Sequence, residues 1–359
     1  MDRLRVELGK NSYDIVFTDS FLGLSEELSK INSPKKLLVV TDSNVEKLYG
    51  NEVLAHLRDN CYDASLYSFK AGEENKNMDS ILGICKACID NGLDRKSQIV
   101  ALGGGVVGDM AGFAASIYMR GISFVQIPTT LLSQSDSSVG GKTGIDFCDA
   151  KNILGAFHQP KLVYINVNTL KTLPKEQFIS GMGEVIKHGI IRDEKFFSYI
   201  RENSESIKAL DTNTLIRLSK TNCSIKADVV SKDEKENGLR AILNFGHTIG
   251  HAIESAFEFK LTHGECVALG MIAVSKIAVG RGTISNEILQ DIENILTDYE
   301  FKTRVKLPDF ETICSYMSKD KKKSAGALKF VLPLSIGEVE QRTDVTEDEI
   351  IDALEYINQ

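Results

Sequence analysis

The chain has 359 residues, 42% of them hydrophobic, which suits about two globular domains whose cores need neither disulfides nor structural metals. Its 42 Lys and Arg against 50 Asp and Glu leave a formal charge of −8. That excludes a general nucleic-acid binder, which needs a basic face for phosphates, but not a small anionic substrate held by a local cluster of cations.

Strand and helix signals alternate through the first half of the chain. Residues 3–8 and 13–18 flank Gly9-Lys10-Asn11 as a hairpin. KKLLVVTD (35–42) and ASLYSF (64–69) read as buried strands, and Met78 to Asn91 has helical periodicity. Gln98 to Leu102 is a strand that runs into GGGVVGDMAGFAASIYM, a helix opened by glycines. SFVQIP (123–128) and KLVYINV (161–167) complete the set. Beyond Thr172-Leu173-Pro174 the periodicity turns helical, over 176–203, 205–209, 213–231, 247–258, 264–281, 286–297 and 346–357. Strand signals nearly vanish there, apart from LKFVLPL (328–334). The expected fold class is α/β: a Rossmann-like nucleotide-binding domain over residues 1–175, then a mainly α-helical domain over 176–359.

The longest apolar candidate for a membrane span, Ile99 to Met119, carries Asp109 and five glycines, so no membrane partner is expected. The start, MDRLRVELGK, lacks the apolar stretch of a secretory leader. The seven cysteines are scattered and read as reduced thiols, which implies a cytoplasmic location. Cys85 and Cys88 form a lone CxxC on a helix face that wants apolar residues at that spacing.

Gly103-Gly104-Gly105-Val106-Val107-Gly108 satisfies GxGxxG with a strand before it and a helix after it. Such a turn lets a pyrophosphate approach the helix N-terminus. The acidic residue expected ~20 positions on is missing; Asp42, at the end of an earlier strand, is the candidate ribose partner. Gly140-Gly141-Lys142-Thr143 ends like a P-loop but lacks that motif's first glycine, which disfavours ATP hydrolysis. Lys142 still faces an anion on this reading, and Lys151-Asn152 repeats the chemistry.

Histidines are the sharpest clue. His247 and His251 share one helix face, and His263 opens the next helix. A catalytic zinc wants three protein ligands and an open position. Glu184, in the apolar GMGEVIKHGII, is the best carboxylate to complete such a site, and Lys187 lies one turn on. Spacing alone leaves open which histidines are ligands. Lys226 sits on an amphipathic helix, and the run Asp320-Lys321-Lys322-Lys323 reads as a solvated face.

Together GGGVVGDMAGFAAS, YMRG, QIPTTLLSQSDSSVGGKTGID, KNILGAFHQP, GMGEVIKHG, ILNFGHTIGHAIE, THGECVALGM and DKK resemble the 3-dehydroquinate synthase family of the sugar phosphate cyclases. They occur in family order from about residue 100 to 323. The resemblance implies an NAD- and divalent-metal-dependent lyase of the shikimate pathway, with Zn²⁺ or Co²⁺ and an active site between two domains. Its substrate would be 3-deoxy-D-arabino-heptulosonate 7-phosphate. Transient oxidation by NAD⁺, β-elimination of phosphate, re-reduction, ring opening and an intramolecular aldol closure would give 3-dehydroquinate.

On the same resemblance the metal ligands are Glu184, His247 and His263, while His251 touches substrate. Asp136, Lys142, Lys187 and His251 take catalytic positions. Asn152, Lys226, Arg240, Asn244 and Lys321 or Lys322 bind substrate. NAD contacts fall on Asp42, Asn44, Glu73, Lys76, Gly105, Val106, Val107, Gly108, Asp109, Thr129, Thr130, Lys142 and Lys151, and on Thr169, Leu170, Lys171 and Thr172. Arg120 implies a homodimer in which it reaches the partner's site. Ser135 and His188 depart from the family pattern, where a hydrophobic residue and an aromatic are common. Rival readings are a cyclase acting on another sugar phosphate, a dehydrogenase of the glycerol type, and a non-catalytic NAD-binding module.

Overall fold

The computed structural model describes every residue except Asp149, Asn237, Phe259 and 324–327; for 318–323 it describes the backbone alone. The chain forms two compact units, Met1–Leu173 with Thr212–Glu234, and Pro174–Asp211 with Lys235–Gln359.

In the first unit the strands are β1 (Asp2–Val6), β2 (Tyr13–Thr18), β3 (Lys36–Asp42), β4 (Asp63–Phe69), β5 (Gln98–Gly103), β6 (Ser123–Pro128), β7 (Lys142–Phe147), β8 (Ala150–Phe157) and β9 (Leu162–Asn166). The helices between them are α1 (Leu24–Lys30), α2 (Asn51–Asp59), α3 (Met78–Asp90) and α4 (Gly105–Ile117). One sheet has the order β1-β2-β9-β6-β5-β3-β4. It is parallel throughout except for β1, which pairs antiparallel with β2 across the foreseen hairpin. Alternation places Leu38, Val40, Ile99 and Ala101 in one buried cluster and Leu37, Val39, Val100 and Leu102 in another, so both faces of the sheet are covered. The chain leaves β3 for β4 on one side and returns to β5 on the other. That reversal is a topological switch point, where a crevice opens outside the carboxyl ends of the strands.

Three features depart from expectation. First, β7 and β8 form an antiparallel hairpin where the sequence reading placed no strand. Second, the segment 176–203 is two helices, α5 (Lys175–Arg192) and α6 (Glu194–Glu202). Asp193 is extended between them, and its carboxylate accepts the Phe196 N–H at 3.0 Å as the cap of α6. Third, after α7 (Ser204–Lys208) the chain returns to the first unit as α8 (Thr212–Lys232), so the division is not a single cut at residue 175. Side chains on one face of α8 hold the turn Ser133–Ser137. Asn222 Nδ2 donates to Ser135 O at 2.6 Å, Cys223 Sγ to Gln134 O at 3.1 Å, and Lys226 Nζ to Asp136 O at 2.6 Å.

The second unit adds α9 (His247–Ala256), α10 (His263–Gly280), α11 (Asn286–Asp298), α12 (Phe310–Lys323), the hairpin β10 (Phe330–Ser335) and β11 (Glu338–Arg342), and α13 (Glu347–Ile357). Among the described residues the helix long and apolar enough to cross a membrane is α10, not the 99–119 segment, and 72% of it is buried as a core helix. At its end Arg281 grips the start of α13: Nε and Nη2 donate to Glu349 at 2.6 and 2.8 Å, and Nη1 to Asp344 at 3.1 Å. This two-pronged bond to Arg281 holds the Glu349 carboxyl down at about 2. A depressed carboxyl contributes stability above its ordinary pKa and loses it as pH falls through the folded value. Arg281→Met should therefore cost about 1–2 kcal/mol at neutral pH. In urea melts, the gap from the parent should close between roughly pH 4.5 and pH 2.

Candidate active site

In the first unit, the residues expected at a nucleotide converge on the carboxyl ends of parallel strands. Asp42 ends β3, and its Oδ1 accepts the N–H groups of Asn44 and Val45 at 2.8 and 3.0 Å, which shapes the turn into the next helix. Gly103 ends β5, and Gly105 opens α4 with Gly104 as its N-cap. None of these glycines has a positive φ. They are needed for close approach instead: a Cβ on Gly103 would lie 2.4 Å from Val107, and one on Gly108 2.9 Å from Gln126. Thr129 and Thr130 follow β6, and Thr169 to Thr172 follow β9.

Lys76 is buried beside them, with Nζ donating to Asp109 Oδ2 at 2.7 Å and Asn152 Oδ1 at 2.5 Å. Burial works to lower the Lys76 ammonium, but Asp109 and Glu73 outweigh it and raise it above the ordinary lysine value. Asp146, which the sequence did not single out, holds the same corner. Its N–H donates to Lys76 O at 3.0 Å, and its Oδ1 accepts the N–H of Asn152, a left-handed residue at φ 53°. Lys142, Lys151 and Asn152 are exposed on the unforeseen hairpin β7–β8. Lys226 is buried and paired with Asp136 Oδ1 at 2.7 Å. The Ser135 hydroxyl is satisfied by Leu131 O at 2.6 Å, so that departure leaves no loose polar group. Glu73 is half-exposed, Asn44, Lys171 and Thr172 are exposed, and exposed Arg120 has φ 68°.

In the second unit three helices bring the metal candidates together. Glu184 on α5 is fully buried. Its Oε2 takes a short hydrogen bond from Lys187. Its Oε1 accepts no hydrogen bond among the described residues, and it lies 3.5 Å from His247 Nε2 and 3.6 Å from His263 Nε2. Three donors bound at ~2.0–2.1 Å to a tetrahedral ion would sit about 3.3–3.4 Å apart, so these spacings fit a divalent metal. The ligand atoms of His247, His251 and His263 also lie within 4.8 Å of one another. His251 is the exposed member of that trio.

Electrostatics agree with the geometry. Burial pushes Glu184 up, but Lys187, His247 and His263 outweigh it and hold it well below the usual carboxylate range. Burial and Lys187 hold His247 well below its ordinary value, which favours the neutral imidazole. Its Nδ1 faces Phe245 O at 3.1 Å, which directs the Nε2 lone pair toward Glu184. Burial would lower His263, yet Glu184 and Glu254 raise it to about 9. Arg240 is buried and Asn244 Nδ2 donates to Glu236 at 3.1 Å. The side chains of Lys321 and Lys322 lie outside the described residues.

Comparison with known proteins shows the family. Residues 66–180 match the 3-dehydroquinate synthase N-terminal family, and residues 181–323 the 3-dehydroquinate synthase C-terminal family. A curated 3-dehydroquinate synthase from Ruminiclostridium cellulolyticum is 48% identical over 351 residues, covering 98% of each chain. The chain belongs to the 3-dehydroquinate synthase family. Two solved cyclases share its fold. A 2-epi-5-epi-valiolone synthase from Streptomyces hygroscopicus with NAD⁺ and Zn²⁺ bound superposes with TM-score 0.90 at 27% identity over 98% of both chains. A 2-deoxy-scyllo-inosose synthase complexed with carbaglucose-6-phosphate, NAD⁺ and Co²⁺ gives 0.89 at 26%, covering 98% of this chain and 99% of that one.

The arrangement in this 3-dehydroquinate synthase family member depends on glycine beside each candidate ligand. A Cβ on Gly264, next to His263, would lie 2.1 Å from Ser180 O, and one on Gly183, next to Glu184, 3.1 Å from Gly264 O. Gly246, next to His247, has φ 76° and no room for a side chain against Val267 O and Met271. Gly264→Ala should therefore cost about 3 kcal/mol and weaken divalent-metal binding, because backbone cannot yield as a side chain can. Gly280→Ala on the same helix meets nothing within 4 Å. That change should be neutral or stabilising by up to ~1 kcal/mol. Thermal melts and metal titration of the two variants check the contrast.

Proposed function

We propose that the chain converts 3-deoxy-D-arabino-heptulosonate 7-phosphate to 3-dehydroquinate and phosphate, with NAD as a recycled cofactor and one divalent metal ion. The observation that carries this reading is the convergence of Glu184 Oε1, His247 Nε2 and His263 Nε2 in a near full-length relative of 3-dehydroquinate synthases. Solved relatives holding NAD⁺ with Zn²⁺ or Co²⁺ support both cofactors. When bound, NAD⁺ takes up and returns one hydride, and the metal acts as a Lewis acid on hydroxyl and ketone oxygens.

The protein's own groups do the rest. Asp42 accepts from ribose hydroxyls, and the Gly105–Asp109 start of α4 offers N–H groups to the pyrophosphate. Asn44, Glu73, Lys76, Thr129, Thr130 and Thr169 to Thr172 complete the nucleotide cradle. Glu184, His247 and His263 hold the metal, and exposed His251 meets substrate. Lys226 and Arg240 take the substrate carboxylate. Lys142, Asn244, His251 and Lys321 or Lys322 hold the phosphate, which serves as its own base on leaving, and Asn152 is a further substrate contact. Asp136 and Lys187 fix Lys226 and Glu184 respectively. The protein works as a cytoplasmic homodimer, with exposed Arg120 turned toward the partner's site.

The test is phosphate release from 3-deoxy-D-arabino-heptulosonate 7-phosphate with catalytic NAD⁺. Release without net NADH, abolished by a chelator and restored by Zn²⁺, is expected. Stoichiometric NADH from a polyol without phosphate release would make the protein a dehydrogenase instead. Lys226→Met should lower kcat/KM by about 10–100-fold, the loss of one charge-assisted contact to the carboxylate. If that variant were unaffected and a sugar phosphate lacking a carboxylate were the better substrate, the protein would be a cyclase of the valiolone or inosose kind.

A further inference from the structure

Helix α9 carries a third polar group on the face that bears His247 and His251. Glu254 follows them at i+7 and i+3, and it is 5% exposed. Its Oε2 lies 3.7 Å from His263 Nδ1. The His263 ring is therefore bracketed by two carboxylates, Glu254 at Nδ1 and Glu184 near Nε2. His247 differs, since a backbone carbonyl, Phe245 O, faces its Nδ1. A buried carboxylate is stable only where a cation or donor meets it, and the His263 ring is one such group beside Glu254.

We propose that Glu254 is a positioning residue for divalent-metal binding, fixing His263 with its proton on Nδ1 and its Nε2 lone pair turned to Glu184 and His247. The inference rests on the metal-site reading above. A carboxylate behind a ligating imidazole fixes the tautomer and ring orientation and makes the ligand nitrogen more basic. The backbone carbonyl behind His247 orients without adding charge. Of the two imidazoles, His263 is thus the one backed by a charged side chain.

The experiment measures Zn²⁺ affinity of the full chain by competition with a chromophoric chelator, and the ligand-field absorption of the Co²⁺ form. Glu254→Gln, which keeps the shape and an acceptor, should weaken Zn²⁺ by about 10-fold, and Glu254→Ala by up to about 100-fold. The Co²⁺ band should shift in both. If Ala fails to fold, the isosteric Gln variant carries the test. Wild-type one-to-one binding with both measures unchanged in a folded Gln variant overturns the inference. A lower melting point of the metal-free Gln variant with unaltered affinity also overturns it, because that is the mark of a merely structural carboxylate. Failure of the wild type to bind either ion overturns the metal-site reading and this inference with it.

Discussion

The second unit is organised around one buried anion. Glu184 is fully enclosed on α5, and an unpaired carboxylate there would be strongly destabilising. Lys187, one turn along, satisfies Oε2 only. Oε1 is left turned toward two imidazoles that arrive from α9 and α10. The helices reach it because their backbones nearly touch: Gly264 lies against Ser180, Gly250 against Cys266, and Gly270 against Gly246. Side chains at those contacts would separate the helices and pull the three donors beyond the span of one ion. Close packing and ligand geometry are thus the same constraint.

The first unit solves a different problem, presenting polar groups at the rim of a buried parallel sheet. The switch between β4 and β5 on either side of β3 sets these strand ends apart as the place where such sheets take a ligand. Close approach of α4 to the sheet, permitted by Gly103 and Gly108, brings its N-terminus to that rim. The hairpin β7–β8 then packs beside α4, with Gly112 giving way to Thr143 and Phe124. It delivers Asn152 to Lys76.

Much of this was legible in the chain. Apolar runs bounded by turn residues located the central strands to within a residue or two, because a strand buried on both faces has few alternatives. Glu184 stood out as a carboxylate in an apolar helix. Glu254 carries the same signal on α9, masked by the stronger one of His247 and His251 on the same face. The i, i+4 spacing could not decide whether His251 is a ligand; a period of 3.6 puts two residues on one face without saying what faces them. Asp146 and the return of α8 had no local signal. They depend on pairings between segments distant in sequence, such as Asn222 with Ser135 and Lys226 with Asp136. The Asp193 cap did have one, an Asp before a new apolar period, but unbroken helical spacing across it hid the break.

Charge pairing explains how an acidic protein can handle an anionic substrate. Three buried lysines each rest on a carboxylate: Lys76 on Asp109, Lys187 on Glu184, and Lys226 on Asp136. The lysines are held in place, yet their local charge is already compensated. In the second unit, among the described residues and with His263 protonated, Lys187 and His263 balance Glu184 and Glu254. On the proposed reading, a divalent cation that displaces the His263 proton leaves this group with one net positive charge. Metal loading thus turns a neutral cluster into an anion-attracting one, without surplus lysines on the surface. A carboxylate- and phosphate-bearing substrate would therefore favour the metal-loaded chain, and affinity for the two would be coupled through this cluster.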